Sequence, residues 1–201
     1  MPIVENTTNI LALWAVIGYL LGSIPFGIVL ARVMGLGNLR DIGSGNIGAT
    51  NVLRTGNKAA AFLTLLLDGA KGAVAVLLAR AIAGEDAAQV AAFAAMIGHC
   101  YPVWLKFAGG KGVATFLGIL LALHFMAGLA ACLAWLTGAA ATRISSMGAL
   151  VSAVASVPLM WAWGYPGALL AAALGVLIFW RHRANIARIE AGTEPKIGQK
   201  T

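Results

Sequence analysis

Three short segments of this chain combine glycines with hydroxyl, amide and basic side chains, a set of groups suited to binding phosphate. The first segment, residues 43–54, reads GSGNIGATNVLR. Its glycines expose backbone N–H groups, Ser44 and Thr50 add hydroxyl donors, and Arg54 offers a bidentate fork that matches a phosphate. These residue types at this spacing predict an anion-binding loop.

The first segment also contains the spacing G-x-G-x-x-G of a dinucleotide-binding turn. Asp68 follows its last glycine by twenty residues, as the acidic residue of that fold would. The surroundings exclude a dinucleotide fold, because no hydrophobic strand precedes Gly43 and Asp68 lies inside a long apolar stretch. The chemistry left to the segment is phosphate binding by a loop.

The second segment comprises residues 98–102, GHCYP, and residues 107–115, FAGGKGVAT. A nucleotide-binding Walker A loop requires Ser or Thr after its Lys, whereas Gly112 follows Lys111, so nucleotide hydrolysis is not predicted. A glycine-rich turn that opens an apolar helix nevertheless presents free N–H groups at the positive end of the helix dipole, and Lys111 adds a full charge. The segment therefore predicts a second phosphate-binding loop.

The third segment comprises residues 182–188, HRANIAR, and residues 192–198, GTEPKIG. His182 and Asn185 are three residues apart, which places them on the same side of a helix. A lone histidine at a membrane interface is more often structural than catalytic, so the sequence alone ranks a structural role for His182 first. The neighbouring residues Arg181, Arg183 and Arg188 are typical of an anchor that contacts anionic lipid headgroups.

Two charged residues, Asp68 and Lys71, lie one helical turn apart inside an apolar stretch. Charges at that depth in a membrane are unfavourable, so the two side chains pair with each other or face a wet cavity. Both interpretations stay open, and both can hold together. For Arg80 and His124, which lie nearer the ends of their stretches, we expect interfacial positions.

The elements that position these segments are membrane helices. Of 201 residues, 60% are hydrophobic and 10% are charged, and the mean hydropathy of +0.87 excludes a water-soluble globule of this size. The first nine residues contain no Lys or Arg, which argues against a cleaved signal peptide and makes the apolar run behind them a first helix. Cys100 and Cys132 lie in apolar stretches, so neither a disulfide nor a metal or redox site is predicted.

The number of spans depends on residues 113–142, an apolar run of 30 residues that is long for one tilted helix and short for two. If the chain turns near His124, 12 of the 14 Lys and Arg residues emerge on one side of the membrane, whereas a single helix would split them. The positive-inside rule favours the turn. We therefore expect an all-α polytopic membrane protein with seven transmembrane helices, an external N-terminus and a cytoplasmic C-terminus. The expected spans are residues 10–31, 59–83, 87–105, 113–124, 126–142, 147–163 and 166–180.

The net charge of +7 belongs to the cytoplasmic loops of this arrangement. The sequence has no separate basic domain to hold a duplex, so nucleic-acid binding is not predicted. We expect Pro25 to kink the first span, and Gly18 and Gly22 to pack it closely against a neighbouring helix. The chain is expected to form a single membrane-embedded domain, residues 1–201, surrounded by the lipid bilayer.

The three segments, in this order, resemble those of the bacterial PlsY family, the membrane acyl-phosphate:glycerol-3-phosphate acyltransferases. The resemblance rests on residues 44–54, on Gly98, His99 and Pro102 with residues 109–115, and on residues 182–188 with Gly192, Glu194 and Lys196. It implies transfer of a fatty acyl group from acyl phosphate to the sn-1 hydroxyl of glycerol 3-phosphate, which gives 1-acyl-sn-glycerol 3-phosphate (lysophosphatidic acid) and phosphate. This reaction is the first acylation step of phospholipid synthesis in the bacterial inner membrane.

The resemblance also implies an active site on the cytoplasmic face and no cofactor or metal, and it is compatible with a hand-over of the donor from an acyl-phosphate-forming enzyme. The implied catalytic residues are Ser44, Arg54, His182 and Asn185. The implied substrate-binding residues are Asn46, Thr50, Lys71, His99, Gly109, Gly110, Lys111, Gly112 and Thr115. Within these sets, Arg54 and Lys111 would hold phosphate, and residues 109–112 would bind glycerol 3-phosphate. Glu194 would be structural, as would Asp68 where it fixes Lys71.

An acyl phosphate carries its own leaving group, so the acceptor hydroxyl can attack it directly without an enzyme nucleophile. The enzyme must orient two anionic substrates and relieve their repulsion. The hydroxyl proton goes either to His182 or to a phosphate oxygen of a substrate, and the sequence leaves both open. An acyl-enzyme on Ser44 is less favoured, because no Ser-His-acid triad is recognisable.

Three alternatives rank lower. Acyl-CoA as donor is disfavoured, because the signature of His followed by four residues and Asp is absent after His99, His124 and His182. A transporter of a small phosphorylated anion would explain Asp68 and Lys71, but it predicts repeats that the two halves of the chain do not show. A purely structural subunit would leave the three polar segments without a purpose.

Overall fold

The computed structural model describes residues 2–199, and that part of the chain is helical, without strands. Ten α-helices follow one another: α1 (Thr8–Gly22), α2 (Phe26–Val33), α3 (Ala49–Leu53), α4 (Lys58–Ala83), α5 (Glu85–Cys100), α6 (Val113–Leu123), α7 (Phe125–Thr142), α8 (Ser145–Ala162), α9 (Ala168–Arg181) and α10 (Arg183–Glu190). Single turns of 3-10 helix, Leu39–Asp41 and Val103–Leu105, lie in the connecting segments. The all-α class expected from the sequence is confirmed.

Among residues 2–199, five stretches are long and apolar enough to cross a membrane: Thr8–Val33, Lys58–Ala83, Glu85–Leu105, Phe125–Thr142 and Ser145–Ala162. Two shorter apolar helices, Val113–Leu123 and Ala168–Arg181, accompany them. Large apolar side chains point outward from the bundle, as Phe62 at 63% exposure and Val176 at 71% exposure show. An apolar outer surface of this kind is typical of a protein surrounded by lipid.

The first apolar stretch breaks at Pro25, where the sequence predicts a kink. Because proline has no N–H to donate, α1 ends at Gly22 and α2 begins at Phe26. The Ile24 carbonyl lies in this gap and accepts a hydrogen bond from the Lys71 ammonium at 2.7 Å. The buried Lys71 ammonium of α4 therefore has a hydrogen-bond partner at the break between α1 and α2.

The chain also breaks at His124. The residue is extended, with φ −148° and ψ 106°, so α6 ends just before it and α7 begins just after it. The Nδ1 atom of His124 accepts the backbone N–H of Ala127 at 3.2 Å and so caps the start of α7. The structure confirms that residues 113–142 form two helices rather than one.

Helix α5 lies in the middle of the bundle and packs against α1, α4, α6 and α9. Gly18 and Gly22 of α1 lie so close to Ala91 and Ala95 of α5 that a Cβ on either glycine would overlap a carbonyl oxygen. The close packing expected for these two glycines is confirmed. The core extends from α5 into α6, where Phe116 and its neighbours are fully buried.

Arg80 lies near the turn between α4 and α5, at one end of the bundle, and forms hydrogen bonds to several elements. Its guanidinium donates to the Glu85 carboxylate (2.8 Å), to the carbonyls of Ala122 (2.6 Å) and Leu123 (3.1 Å) and to the Tyr165 hydroxyl (3.1 Å). The Tyr165 hydroxyl in turn donates to Glu85. These bonds connect α4, α5, the end of α6 and the turn before α9. Arg80 lies in the last turn of α4, and it also stabilises the bundle.

We expect Arg80→Lys to destabilise the folded protein by about 1–3 kcal/mol, because lysine keeps the charge but cannot donate in the same directions. Thermal unfolding in detergent should show a lower midpoint temperature. The matched control is Arg183→Lys. Arg183 lies over the Trp180 ring at 4.8 Å and donates to the Trp180 carbonyl at 3.3 Å, so these contacts reach only three residues along the chain. An Arg80→Lys protein as stable as the wild type would contradict the assigned role.

Candidate active site

The three polar segments converge on one cavity of about 960 Å³. The first segment lines it with Gly43, Ser44, Asn46, Thr50, Asn51 and Arg54, the second with His99, Lys111 and Gly112, and the third with His182, Asn185, Arg188 and Glu194. Asp68 from α4 and Ser145 and Ser146 from the start of α8 complete the polar wall. Residues far apart in the sequence therefore share one site.

A buried amide, Asn51, shapes the first segment. Its side-chain oxygen accepts the backbone N–H of Ser44 at 3.1 Å and the Ser44 hydroxyl at 3.3 Å. Its nitrogen donates to the carbonyls of Leu39 at 2.8 Å and Asn46 at 2.7 Å. These bonds fix Ser44 and Asn46 at the cavity wall. Sequence reasoning gives Asn51 no role of its own, because its partners are largely backbone groups that only the folded loop brings together.

Arg54 ends the first segment with its side chain against Gly43. A Cβ at Gly43 would force the Arg54 side chain to shift, and the φ of +52° at Gly43 is a backbone conformation that favours glycine. Within residues 2–199, no carboxylate forms an ion pair with Arg54. The guanidinium lines the cavity and is available to an incoming anion.

The glycine-rich turn of the second segment is held by bonds within the protein. Gly109 and Gly110 donate their N–H groups to the carbonyls of Cys100 and His99, both at 3.1 Å. Their own carbonyls accept hydrogen bonds from the Arg181 guanidinium, both at 3.0 Å. Neither glycine is among the described residues that line the cavity, and their contact with substrate stays a prediction.

Arg181 has a structural role that differs from the expected lipid anchor. Besides the two glycine carbonyls, its guanidinium lies over the Tyr101 ring at 5.0 Å. It thereby connects the end of α9 to the turn that carries Lys111. The sequence contains no signal for this role, because a basic residue after an apolar helix is typical of an interfacial anchor whatever it contacts.

Lys111 extends from this turn into the cavity, just before Gly112, which has φ +85° and precedes α6. Its Nζ atom donates to Oδ1 of Asn185 at 2.5 Å. Burial lowers the pKa of Lys111 to about 8, and nearby cations act in the same direction against the attraction of Glu194. No carboxylate in the described chain forms an ion pair with it, so Lys111 is available to an anion.

His182 also lines the cavity, and its lowered pKa keeps the imidazole neutral at physiological pH. Its Nδ1 atom lies 2.8 Å from the Ile178 carbonyl oxygen, which can only accept, so Nδ1 carries the proton and Nε2 carries a lone pair. Burial lowers the pKa of His182 to about 4, although the bond to Ile178 acts in the opposite direction. The free lone pair of Nε2 can accept a hydrogen bond from a bound hydroxyl group.

Glu194 joins the third segment to α8. Its carboxylate accepts hydrogen bonds from Asn185 (2.5 Å), Ser146 (2.7 Å) and Arg188 (2.7 Å). Burial disfavours the ionised carboxylate, but these bonds together outweigh it and lower the pKa of Glu194. The carboxylate is thus held by three side chains, and the structural role of Glu194 stays a prediction. These bonds also correct the expectation for Arg188, whose guanidinium pairs with Glu194.

A second network lies at and behind the cavity wall. The Lys71 ammonium is 2.7 Å from Oδ1 of Asp68, so the expected ion pair is present. The Thr115 hydroxyl donates to the Asp68 carbonyl at 2.8 Å and lies 3.1 Å from Nδ1 of His99. Asp68 and His99 line the cavity, whereas Lys71 and Thr115 are not among its described lining residues. Direct contact of Lys71 and Thr115 with substrate stays a prediction.

The cavity combines a cationic part with an apolar part. Arg54, Lys111, Arg188 and Lys196 line it together with the carboxylates of Asp68 and Glu194, each of which is paired. Its apolar lining comes from α4, α6 and α7 and includes Leu65, Ala114, Leu117, Cys132 and Trp135. Within the described residues, no group of three His, Cys, Asp or Glu side chains is placed to hold a metal ion. The arrangement suits anionic substrates that carry an apolar chain.

The fold and the site together define a class, a helical membrane protein whose loops build a cavity with cationic and apolar linings at one end of the bundle. The chain belongs to the glycerol-3-phosphate acyltransferase family, whose model matches residues 12–192. The family resemblance seen in the three segments is thereby confirmed.

Individual relatives match over nearly the whole chain. The protein is 76% identical over 198 residues to a glycerol-3-phosphate acyltransferase of Roseobacter denitrificans, which covers 98% of this chain and 99% of that relative. It is 68% identical over 202 residues to the enzyme of the same name from Ruegeria pomeroyi, with both chains fully covered.

The fold is similar to the crystal structure of PlsY (YgiH), an integral membrane glycerol 3-phosphate acyltransferase, in its glycerol 3-phosphate form. The TM-score is 0.89 and the identity 37%, over 94% of this chain and 96% of that chain. The lysophosphatidic acid form of PlsY matches with a TM-score of 0.87 and 36% identity. Sequence and structure comparisons therefore agree on the family.

Proposed function

We propose that this protein transfers a fatty acyl group from acyl phosphate to the sn-1 hydroxyl of glycerol 3-phosphate, giving 1-acyl-sn-glycerol 3-phosphate and phosphate. The observation that carries the proposal is the single cavity shared by Ser44, Arg54, Lys111 and His182. It supplies cations for two phosphorylated substrates and a neutral imidazole for a hydroxyl group. The similarity to proteins named glycerol-3-phosphate acyltransferase supports the same acceptor.

In this proposal Lys111 and Arg54 bind substrate phosphate, because neither is neutralised by a carboxylate of the described chain. Asn185 positions Lys111, since its amide is bonded to Lys111 on one side and to Glu194 on the other. The Nε2 atom of His182 accepts the hydrogen bond of the acceptor hydroxyl. The acceptor is thus held by its phosphate and its hydroxyl at once, which fixes its orientation.

The apolar part of the cavity accommodates the acyl chain of the donor. Leu117 and Trp135 line it from α6 and α7, and Leu65 of α4 is 50% exposed on the outer, apolar surface of the bundle. A chain placed there lies between the helices and the surrounding lipid, so the donor reaches the site from the bilayer. A hand-over of acyl phosphate from the enzyme that forms it is compatible with this route.

The reaction forms a bond between the sn-1 oxygen and the carbonyl carbon and breaks the bond from that carbon to the phosphate oxygen. The proton of the hydroxyl leaves with the phosphate. A phosphate oxygen has a second pKa of about 6, so it is the stronger base beside His182, whose pKa is about 4. We therefore assign His182 the orientation of the hydroxyl and a substrate phosphate oxygen the role of proton acceptor.

An acyl-enzyme on Ser44 has no support in the contacts of this residue. The Ser44 hydroxyl lies 3.3 Å from the amide oxygen of Asn51, which is not a base that could activate it. The backbone N–H of Ser44 is bonded to the same oxygen. Direct transfer between the two substrates is the simpler mechanism for this site.

For the membrane arrangement we propose a single domain, residues 1–201, with seven crossings, an external N-terminus and a cytoplasmic C-terminus in the bacterial inner membrane. The crossings are α1 with α2, α4, α5, α6, α7, α8 and α9. Helix α6 has 11 residues and α9 has 14, fewer than the roughly 20 that fill a bilayer, so both would sit beside longer neighbours. The positive-inside rule supports a cytoplasmic cavity, because the basic loops surround it.

The test is an assay of the purified protein in detergent with palmitoyl phosphate and glycerol 3-phosphate. We expect inorganic phosphate and 1-acyl-sn-glycerol 3-phosphate to form in equal amounts, and neither to form without the acceptor. Palmitoyl-CoA in place of palmitoyl phosphate should give at most a trace of product. Absence of acceptor-dependent phosphate release would refute the proposed function, and equal rates with both donors would refute the proposed donor.

A further inference from the structure

The C-terminal strap, defined here as residues 194–199, forms one wall of the cavity. All six of its residues line it: Glu194, Pro195, Lys196, Ile197, Gly198 and Gln199. The strap follows the turn after α10, where Gly192 has φ +69° and Thr193 and Glu194 donate their N–H groups to the Arg188 carbonyl. The chain thus returns toward the site instead of continuing away from it.

The strap is fixed at two points that lie three residues apart. At the first, the Glu194 carboxylate is bonded to three side chains of α8 and α10 and its side chain is only 7% exposed. At the second, the backbone N–H of Ile197 donates to the Arg143 carbonyl, between α7 and α8, at 2.7 Å. Pro195 restricts the backbone between these points. The position of Lys196 is therefore determined from both sides.

The backbone of Lys196 is fixed as well, while its ammonium group is not. Its N–H donates to the Gln199 side chain at 2.8 Å, and its carbonyl accepts the Gln199 N–H at 3.2 Å. In the described part of the chain, no carboxylate forms an ion pair with the Lys196 ammonium. The side chain is exposed at the rim of the cavity. A lysine held in this way presents a charge to the cavity at a defined place.

The charges of the proposed reaction require such a cation. Two phosphorylated substrates bring roughly two negative charges each at neutral pH. Of the other cations in the wall, Arg54 and Lys111 form no ion pair with a carboxylate of residues 2–199, whereas Arg188 is paired with Glu194 at 2.7 Å. Two unneutralised cations leave the pair of substrates with excess negative charge in a partly desolvated site.

We propose that Lys196 binds the phosphate group of a substrate at the rim of the cavity, as a third phosphate-binding cation beside Arg54 and Lys111. This inference rests on the proposed function, because it takes its ligands from that reaction. The bond is charge-assisted and partly open to water, so it contributes to affinity more than to the chemical step. The Glu194 and Ile197 contacts hold the strap in place for this purpose.

The experiment compares wild type, Lys196→Gln, Lys196→Arg and Lys58→Gln in a non-ionic detergent without added lipid. Lys58 is the matched control, since it is an exposed lysine at the start of α4 that does not line the cavity. For each protein, kcat and the KM values for palmitoyl phosphate and glycerol 3-phosphate are measured at low and high salt. Activity of the wild type establishes the proposed function before the Lys196 variants are judged.

For Lys196→Gln we expect about a tenfold rise in the KM of one substrate, with kcat within about twofold of wild type. A rise for palmitoyl phosphate assigns the bond to the donor, and a rise for glycerol 3-phosphate assigns it to the acceptor. Lys196→Arg should restore the affinity, and high salt should shrink the difference. Unchanged KM values for both substrates, or the same change in Lys58→Gln, would overturn the proposal while the function stood.

Discussion

Lys111→Gln should lower kcat/KM for glycerol 3-phosphate by about a hundredfold to a thousandfold, which corresponds to the loss of a buried charge pair of about 3–4 kcal/mol. The substitution removes the ammonium that has no carboxylate partner in the described chain and leaves Oδ1 of Asn185 without its donor. If Lys111 binds the acceptor phosphate, the lower kcat/KM comes from a higher KM for glycerol 3-phosphate. Steady-state kinetics with either substrate varied would measure it.

The control for this variant is Lys106→Gln, which removes the same charge five residues earlier in the same connection. Lys106 is exposed and does not line the cavity, so its loss should leave both KM values within about twofold. Equal effects of the two substitutions would mean that the loop acts through its overall charge. In that case Lys111 would have no special position in the site.

The pH dependence follows from the same residue. Because the pKa of Lys111 is about 8, the ammonium is charged below that pH and loses its proton as the pH rises through it. The KM for glycerol 3-phosphate should therefore rise above about pH 8 in the wild type. Lys111→Arg, which stays protonated, should remove this rise whatever its effect on the rate. A wild-type KM that stays constant up to pH 9.5 would contradict the assignment.

The sequence was sufficient for the class of the fold and for the convergence of the site. Length and hydropathy predict a helical membrane bundle. The missing N–H of Pro25 predicts the break at that residue, and the distribution of basic residues predicts the turn near His124. Three separate segments rich in glycine, hydroxyl, amide and basic groups predict a common site. These inferences succeed because they depend on composition and spacing, which the sequence contains in full.

The sequence did not show which polar groups of these segments are free to contact a ligand and which are bonded within the protein. A glycine-rich turn suggests open N–H donors, yet those of Gly109 and Gly110 are bonded to carbonyls of the preceding segment. Arg181 and Arg188 resemble lipid anchors in the sequence. In the structure, Arg181 donates to a carbonyl 71 residues away, and Arg188 pairs with a carboxylate 6 residues away. Such partners depend on tertiary contacts, and periodicity within one helix carries no information about them.

The position of the C-terminal strap could not be predicted from the sequence either. Residues 192–198 are recognisable as polar and glycine-containing, and nothing in their composition distinguishes a solvated tail from a wall of the site. The distinction comes from Ser146, which lies 48 residues away in sequence and bonds to Glu194 at 2.7 Å. A short polar tail acquires a position only through such distant contacts, so its role follows from the folded structure.

His182→Ala should lower kcat by about a hundredfold, and His182→Gln by no more than about tenfold. Alanine removes the Nε2 atom that we propose orients the acceptor hydroxyl, whereas the glutamine side chain can place an oxygen near the same point. Glutamine cannot take up a proton, so the comparison separates orientation from proton transfer. The measurement is kcat at saturating concentrations of both substrates, with thermal unfolding of each variant to show that it folds.

The pH profile gives the second half of this prediction. With a pKa of about 4, His182 stays neutral above about pH 5, so its protonation should not limit the wild type between pH 6 and 8. A substrate phosphate oxygen loses its basicity below its second pKa of about 6, and kcat should fall there in both the wild type and His182→Gln. A contrary result would be a loss of kcat by a thousandfold or more in both His182 variants, together with no fall in kcat at low pH once the histidine is replaced. The imidazole would then be the base, and the proton would not go directly to the phosphate.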